Sequence, residues 1–337
     1  MTDLATSRTA TNGRKSRTKA VFTISDDQLA NLAEDYYLND RTQEQIAARY
    51  GISRSYVSRL LLRARTLVIV EIIIHRDILR SRSLEAELER RFGLVRCVVV
   101  ESSGASEDRT LQMAGEAAAD ILAELLTPES TLALSWGNSV RAAVDAIRPG
   151  RIAARRVVQM FGGLRAAPAE IMSGELVTST ARQIGAIEDR LHAPWIVETA
   201  DLAHSLLEQA DVAATLRRAA NADVALVSVG AIGKASSAII FSPRYMNHED
   251  VEELAVSGAI GDLCGRLYDA DGRACRIPLM QRVISLDLDL IRQIPMVLCI
   301  ATGRFKAPAI LGALRGHLIS GLVTDSEAAQ AILSSDA

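Results

Sequence analysis

Thr42-Gln-Glu-Gln-Ile-Ala-Ala-Arg-Tyr-Gly-Ile-Ser-Arg-Ser-Tyr-Val-Ser-Arg-Leu-Leu61 is the stretch from which the rest of the chain can be read. Thr42 followed three residues later by Gln45 is a capping-box signature, so a helix opens there. Ile46, Ala47 and Tyr50 fall on its inward face, and Gly51 ends it. Ser53 can cap a following helix in which Val57, Leu60, Leu61 and Ala64 form a buried stripe. The opposite face carries Arg54, Ser55, Tyr56, Ser58, Arg59 and Arg63, with no acidic residue. Two capped helices around a glycine turn, the second with a basic polar face, make a helix-turn-helix suited to the major groove. Arg54, Ser55 and Tyr56 are placed to reach base edges, and Ser58, Arg59 and Arg63 bases or phosphates. Ser53, with Thr42 and Gln43 at the start of the preceding helix, completes the candidate DNA-binding set. The rival reading is a helical module that binds another protein.

Toward the N-terminus, Ser25 caps an earlier helix whose Leu29, Leu32, Ala33, Tyr36 and Tyr37 share one face, and Asn39-Asp40 marks a turn. Residues 1–22, with Arg14, Lys15, Arg17 and Lys19, read as a disordered basic arm. Leu67 to Ile74 reads as a strand, the wing of a DNA-binding domain spanning 23–76. Leu84, Leu88 and Phe92 then define a helix stopped by Gly93, so 77–93 is expected to be a linker helix coupling the DNA-binding head to the larger body of the chain.

In that body, from 94 to 335, short β-branched runs alternate with helical stretches. The expected strands are Val98–Val100, Leu132–Ser135, Val157–Phe161, Val224–Val229, Met296–Ala301 and Leu322–Val323, and Met113–Leu126 and Ala307–Leu314 are among the helices. Such alternation implies a mainly parallel sheet with helices on both faces, a Rossmann-like α/β domain. The length of 337 residues suits about two domains at roughly 150 residues each. At 49% hydrophobic and 23% charged the chain is globular rather than disordered.

Charge divides along the same line. Residues 1–66 carry 11 Lys and Arg against 7 Asp and Glu, and the remainder 27 against 34. A basic head on an acidic body points to nucleic acid at the head. The densest apolar run, Val68–Ile74, is interrupted by Glu71, so no membrane span is expected. The basic N-terminus does not read as a signal peptide, and four scattered cysteines do not read as a disulfide framework; both favour a reduced, cytoplasmic protein. No cofactor is implied, and five dispersed histidines imply no metal site.

In an open α/β sheet ligands bind beyond the carboxyl ends of strands, where helix N-termini favour anions. Three segments fall there: Ser135-Trp-Gly-Asn-Ser139, Gln159-Met-Phe-Gly-Gly163 and Thr302-Gly-Arg-Phe-Lys306. Ser228-Val-Gly-Ala-Ile-Gly-Lys-Ala235 only mimics a phosphate loop, since Ser228 replaces its first glycine and Ala235 the magnesium-binding hydroxyl. Ala133-Leu-Ser-Trp-Gly137 mimics a nucleophile elbow without its first glycine.

The chain resembles the SorC (SorC/DeoR-like) family of bacterial sugar-responsive transcriptional regulators from about Leu29 to Leu333. In the head the resemblance is carried by Ala33-Glu-Asp-Tyr-Tyr, Thr42-Gln-Glu-Gln-Ile-Ala and Ile52-Ser-Arg-Ser-Tyr-Val-Ser-Arg-Leu-Leu. In the body it is carried by Leu134-Ser-Trp-Gly, Val158-Gln-Met-Phe-Gly-Gly, Ala222-Asp-Val-Ala-Leu-Val-Ser-Val-Gly, Gly258-Ala-Ile-Gly-Asp-Leu-Cys-Gly-Arg, Arg282-Val-Ile-Ser-Leu and Lys306-Ala-Pro-Ala-Ile. It implies a Rossmann-like effector domain that binds a sugar or polyol, phosphorylated or not, and a homo-oligomer, typically a tetramer. It also implies effector contacts from Asn138 and Ser139 beside Gly137, from Asp262 and from Lys306; Gln159, Gly162 and Gly163 join them as strand-end candidates. The expected function is a DNA-binding regulator of carbohydrate or polyol catabolism whose operator affinity the effector controls. The competing readings are an isomerase-like enzyme using Asp262 as base and Lys306 as electrophile, and a constitutive DNA-binding oligomer.

Overall fold

Capping chemistry sets the first three elements: α1 (Asp26–Tyr37), α2 (Gln43–Tyr50) and α3 (Arg54–Thr66). Ser25 and Thr42 each close a full capping box, with Gln28 and Gln45, and Ser53 Oγ accepts from the Tyr56 amide. Gly51 turns the chain in the left-handed region (φ 64°), where a side chain would be strained. Leu29, Leu32, Ala33, Ile46, Val57, Leu60, Leu61 and Ala64 form the core. Asp35 is buried among them, which requires compensation. Arg49 supplies it at 2.7 Å, with Tyr50 Oη donating at 3.3 Å and Arg41 at 3.5 Å.

The computed structural model describes residues 24–70, 78–163, 173–233 and 246–336. The chain separates into two units, Met1–Arg76 and Asp77–Ala337. The arm expected over 1–22 and residues 71–74 of the expected wing strand lie outside the described residues. Leu67–Val70 form turns rather than the start of that strand. The amides of Ile69 and Val70 return to the Ala64 carbonyl, and both side chains pack on the helical core.

The second unit opens with α4 (Arg82–Phe92), β1 (Arg96–Val100), α5 (Glu107–Leu125), β2 (Thr131–Leu134), α6 (Asn138–Asp145) and β3 (Arg156–Gln159). It continues through α7 (Ser173–Ile184), β4 (Ile187–Asp189), α8 (Ala200–Leu207), α9 (Ala210–Ala220), β5 (Val224–Val227), β6 (Val229–Ala231) and α10 (His248–Val256). The last elements are β7 (Gly261–Leu263), β8 (Arg266–Tyr268), α11 (Leu288–Ile291), β9 (Met296–Ile300), α12 (Ala307–Arg315), β10 (Gly321–Asp325) and α13 (Ser326–Ser335).

Seven strands form one parallel sheet in the order β1-β10-β9-β5-β2-β3-β4. Alternate residues feed two cores, one on each face: Cys97, Val99, Ala225 and Val227 to one, Val98, Val100, Val224 and Leu226 to the other. The chain leaves β2 for β3 on one side, while β5 lies on its other side, so the winding reverses between β2 and β5. That is where a doubly wound sheet opens a crevice. The expected strand Val224–Val229 is two elements, because the chain leaves the main sheet at Ser228 and β6 joins an antiparallel sheet, β6-β7-β8. These three-residue strands and β4 have no alternation long enough to read in sequence.

The helix expected to couple the head to the body, α4, is packed into the second unit. Glu89 Oε1 accepts from the Cys97 amide and Glu85 Oε1 from the Val99 amide, each at 3.0 Å. Carboxylates four residues apart on a helix are spaced by roughly 6 Å, close to the two-residue repeat of a strand. They satisfy edge amides of β1 that no strand reaches.

Candidate functional site

In the first unit α3 presents a basic face. Arg54, Ser55, Ser58, Arg59 and Arg63 are exposed, and Tyr56 is half-buried. The Arg59 guanidinium lies 5.2 Å from the centre of the Tyr56 ring, close enough for cation–π attraction. Thr42 and Ser53 use their hydroxyls as helix caps. Arg54 Nε sits 2.9 Å from Glu44 Oε1, an α2 residue that sequence reasoning passed over because it belongs to the other helix. Arg54 and Glu44 border an open cavity of about 520 Å³ together with Tyr36, Tyr37, Thr42 and Gln43.

In the second unit Gly137–Ser139 follow β2 and Lys306 follows β9, while Asp262 lies within β7 and feels the Lys306 charge. Gly137 (φ 103°) begins α6 after β2, and no side chain caps that helix, so its first amides are available to an anion. Ser139 is buried and Asn138 exposed. Ser135 Oγ is buried without a hydrogen bond among the described residues.

Asp262, on β7, is buried and accepts from the Gly265 amide at 3.0 Å. It faces Gly230 across β6 and β7, and a Cβ there would overlap Asp262 Oδ1, so the carboxylate sits where only glycine leaves room. Burial raises its pKa to about 6, with the Gly265 amide and the Lys306 charge pulling the other way. Lys306 ends a short 3₁₀ turn after β9, at the start of α12. Burial lowers its pKa, opposed by Cys299 and Asp262. Neither Asp262 nor Lys306 forms an ion pair among the described residues, although each feels the other's charge.

The loop bearing Lys306 is anchored by a residue the sequence reading did not single out. Buried Asp325, at the end of β10, accepts from the Gly303 amide at 2.5 Å, from Glu327 and Ala328 at 3.0 and 3.1 Å, and from Ser102 Oγ at 3.4 Å. Its legible signal was the Asp-Ser-Glu start of α13, a helix-cap pattern. Also unforeseen is a stack joining the ends of β2 and β3. Trp136 and Phe161 are 5.6 Å apart and nearly parallel, and Trp195 lies on Phe161 at the same distance.

Three expected effector residues have internal partners instead. Gln159 is buried; its Nε2 donates to the Phe161 carbonyl (2.5 Å) and its Oε1 accepts from the Leu191 amide (3.1 Å). The Gly162 and Gly163 amides donate to the carbonyls of Ile284 and Ala193. A Cβ on Gly162 would lie 2.5 Å from the Pro194 carbonyl oxygen, so this glycine serves close packing. Among the described residues no cluster of His, Cys, Asp or Glu suits a metal ion, and no helix is long and apolar enough to cross a membrane.

A basic helix-turn-helix joined to an α/β unit with a charged crevice defines the class of ligand-responsive DNA-binding proteins. Comparison with known proteins agrees. A sugar-binding domain family matches residues 76–334, and region 4 of sigma-70 matches 32–67. The sorbitol operon regulator of Klebsiella pneumoniae is 31% identical over 308 residues, 90% of this chain and 97% of that one. The transcriptional regulator LsrR of Escherichia coli K12 is 31% identical over 313 residues, 92% of this chain and 95% of that one. The crystal structure of the full-length Klebsiella regulator SorC superposes with a TM-score of 0.70 at 28% identity, covering 92% of this chain and 99% of that chain. The chain belongs to the SorC family of sugar-sensing transcriptional regulators; it is a regulator and not an enzyme.

Proposed function

We propose that this protein controls a carbohydrate or polyol operon by binding operator DNA through α3, with an affinity set by a phosphorylated sugar or polyol in the crevice at the ends of β2, β7 and β9. The observation that carries this reading is a buried carboxyl, Asp262 on β7, and a half-buried ammonium, Lys306 after β9, that feel each other's charge without an ion pair between them. Burying opposite charges without direct pairing is unfavourable, and a ligand offering both phosphate and hydroxyl groups relieves it. Lys306 and the uncapped start of α6 at Gly137, Asn138 and Ser139 take the phosphate. Asp262 accepts sugar hydroxyls, and Trp136 supplies an apolar wall for the carbon skeleton.

On DNA, Arg54, Ser55 and Tyr56 read bases, while Ser58, Arg59 and Arg63 add base or phosphate contacts. The family supports a homo-oligomer, in our reading a tetramer, whose paired heads meet half-sites at multiples of roughly 34 Å. Four buried, unpaired cysteines suit a reduced, cytoplasmic setting.

The test is a thermal-shift screen of sugars, polyols and their phosphates on the wild type and on Lys306→Ala. A phosphorylated compound should raise the wild-type Tm, and the variant should bind it at least about tenfold more weakly. Equal responses from both proteins would remove the phosphate role of Lys306.

A further inference from the structure

We propose that Glu44 is a specificity-determining residue of the DNA interface: it neutralises Arg54, so that this arginine adds little to binding on random sequence and keeps its outer nitrogens for a base. The inference rests on α3 being the reading helix.

Three observations carry it. Arg54 opens α3, the place from which a side chain reaches deepest into the groove. Its partner comes from a different helix, 2.9 Å away, and both side chains are solvent-exposed. The rest of the polar face of α3 has no acidic neighbour: Arg59 is held by the Tyr56 ring, and Arg63 forms no ion pair among the described residues.

An exposed ion pair adds little to folding stability. Its consequence lies in binding, because a free arginine that meets a phosphate releases a counterion, whereas a neutralised one does not. With Glu44 beside Nε, the outer nitrogens of the guanidinium stay open to a base, where two of them can read guanine. Glu44 therefore widens the gap between operator and random duplex from both sides.

The experiment measures fluorescence anisotropy of full-length wild type, Glu44→Gln, Arg54→Ala and the double variant across a salt series. The probes are a random-sequence duplex and the duplex that wild-type protein enriches from a random pool. Glu44→Gln should bind the random duplex up to about eightfold tighter at about 0.1 M salt, with a log–log salt slope steeper by about 0.9, one added phosphate contact. It should gain less, or lose, on the enriched duplex, so the ratio of the two affinities falls. In the Arg54→Ala background the same substitution should lose most of its effect. An unchanged slope and ratio in Glu44→Gln would overturn the proposal, as would a gain that persists in full without Arg54. If Arg54→Ala itself leaves binding to the enriched duplex intact, the assignment of α3 fails instead.

Discussion

Asp262 shows what one buried carboxyl does to both stability and recognition. Its pKa stands at about 6 against an ordinary 3.8, because burial penalises the charged form. The folded protein thus keeps a proton that the unfolded chain releases between those values. The stability this contributes is complete below about pH 3.8 and is lost as pH rises through 6. Relative to wild type, Asp262→Asn should therefore gain about 2 kcal/mol between about pH 4 and about pH 7.5, measured by urea unfolding at the two pH values. The same variant should lose its response to the effector. Asn138, Ser139 and Lys306 stand in segments that the sequence places after strands, whereas Asp262, in the middle of β7, was named only through the family resemblance. Gln159, Gly162 and Gly163 stand in an equally suggestive motif, yet their amides bond to Phe161, Leu191, Ile284 and Ala193. A motif locates an amide along the chain; only neighbours from other segments decide where it points.

At the scale of elements, α4 and β1 depend on one another. Glu85 is nearly buried, paired with Arg80 at 2.7 Å and bonded to the Val99 amide. Glu85→Ala leaves that amide and Arg80 uncompensated and should cost about 2–3 kcal/mol in chemical denaturation. Glu85→Gln retains an acceptor oxygen and should cost less. The amphipathic spacing of Leu84, Leu88 and Phe92 made the helix legible, and its capping glycine marked its end. Its role was not legible, because an isolated helix with charged residues at 85 and 89 looks solvated until an open sheet edge is set beside it. The short strands escaped for a related reason. Three residues such as Gly261-Asp-Leu263 have no period to detect, and pairing with β6 and β8 is what makes them a strand.

For the whole molecule, sensing and DNA binding must be linked reciprocally. If the effector weakens or tightens operator binding by a given factor, saturating operator DNA should change effector affinity by that same factor. Isothermal titration of the effector into the protein, with and without duplex, measures this, and a factor of one would mean that the two sites are uncoupled. The overall architecture was legible because its signals are periodic and local: caps at Thr42 and Ser53, a left-handed glycine at 51, and β-branched runs spaced by amphipathic helices. Those local patterns were enough to place a basic helix-turn-helix before a mainly parallel α/β domain; the SorC family came from the resemblance of its motifs. Folding in three dimensions was needed to set Glu44 against Arg54, to tie Asp325 to the loop of Lys306, and to leave room for Asp262 at Gly230. Each of those contacts joins residues that are far apart along the chain or belong to different elements, and such approaches arise from packing, which no local pattern encodes.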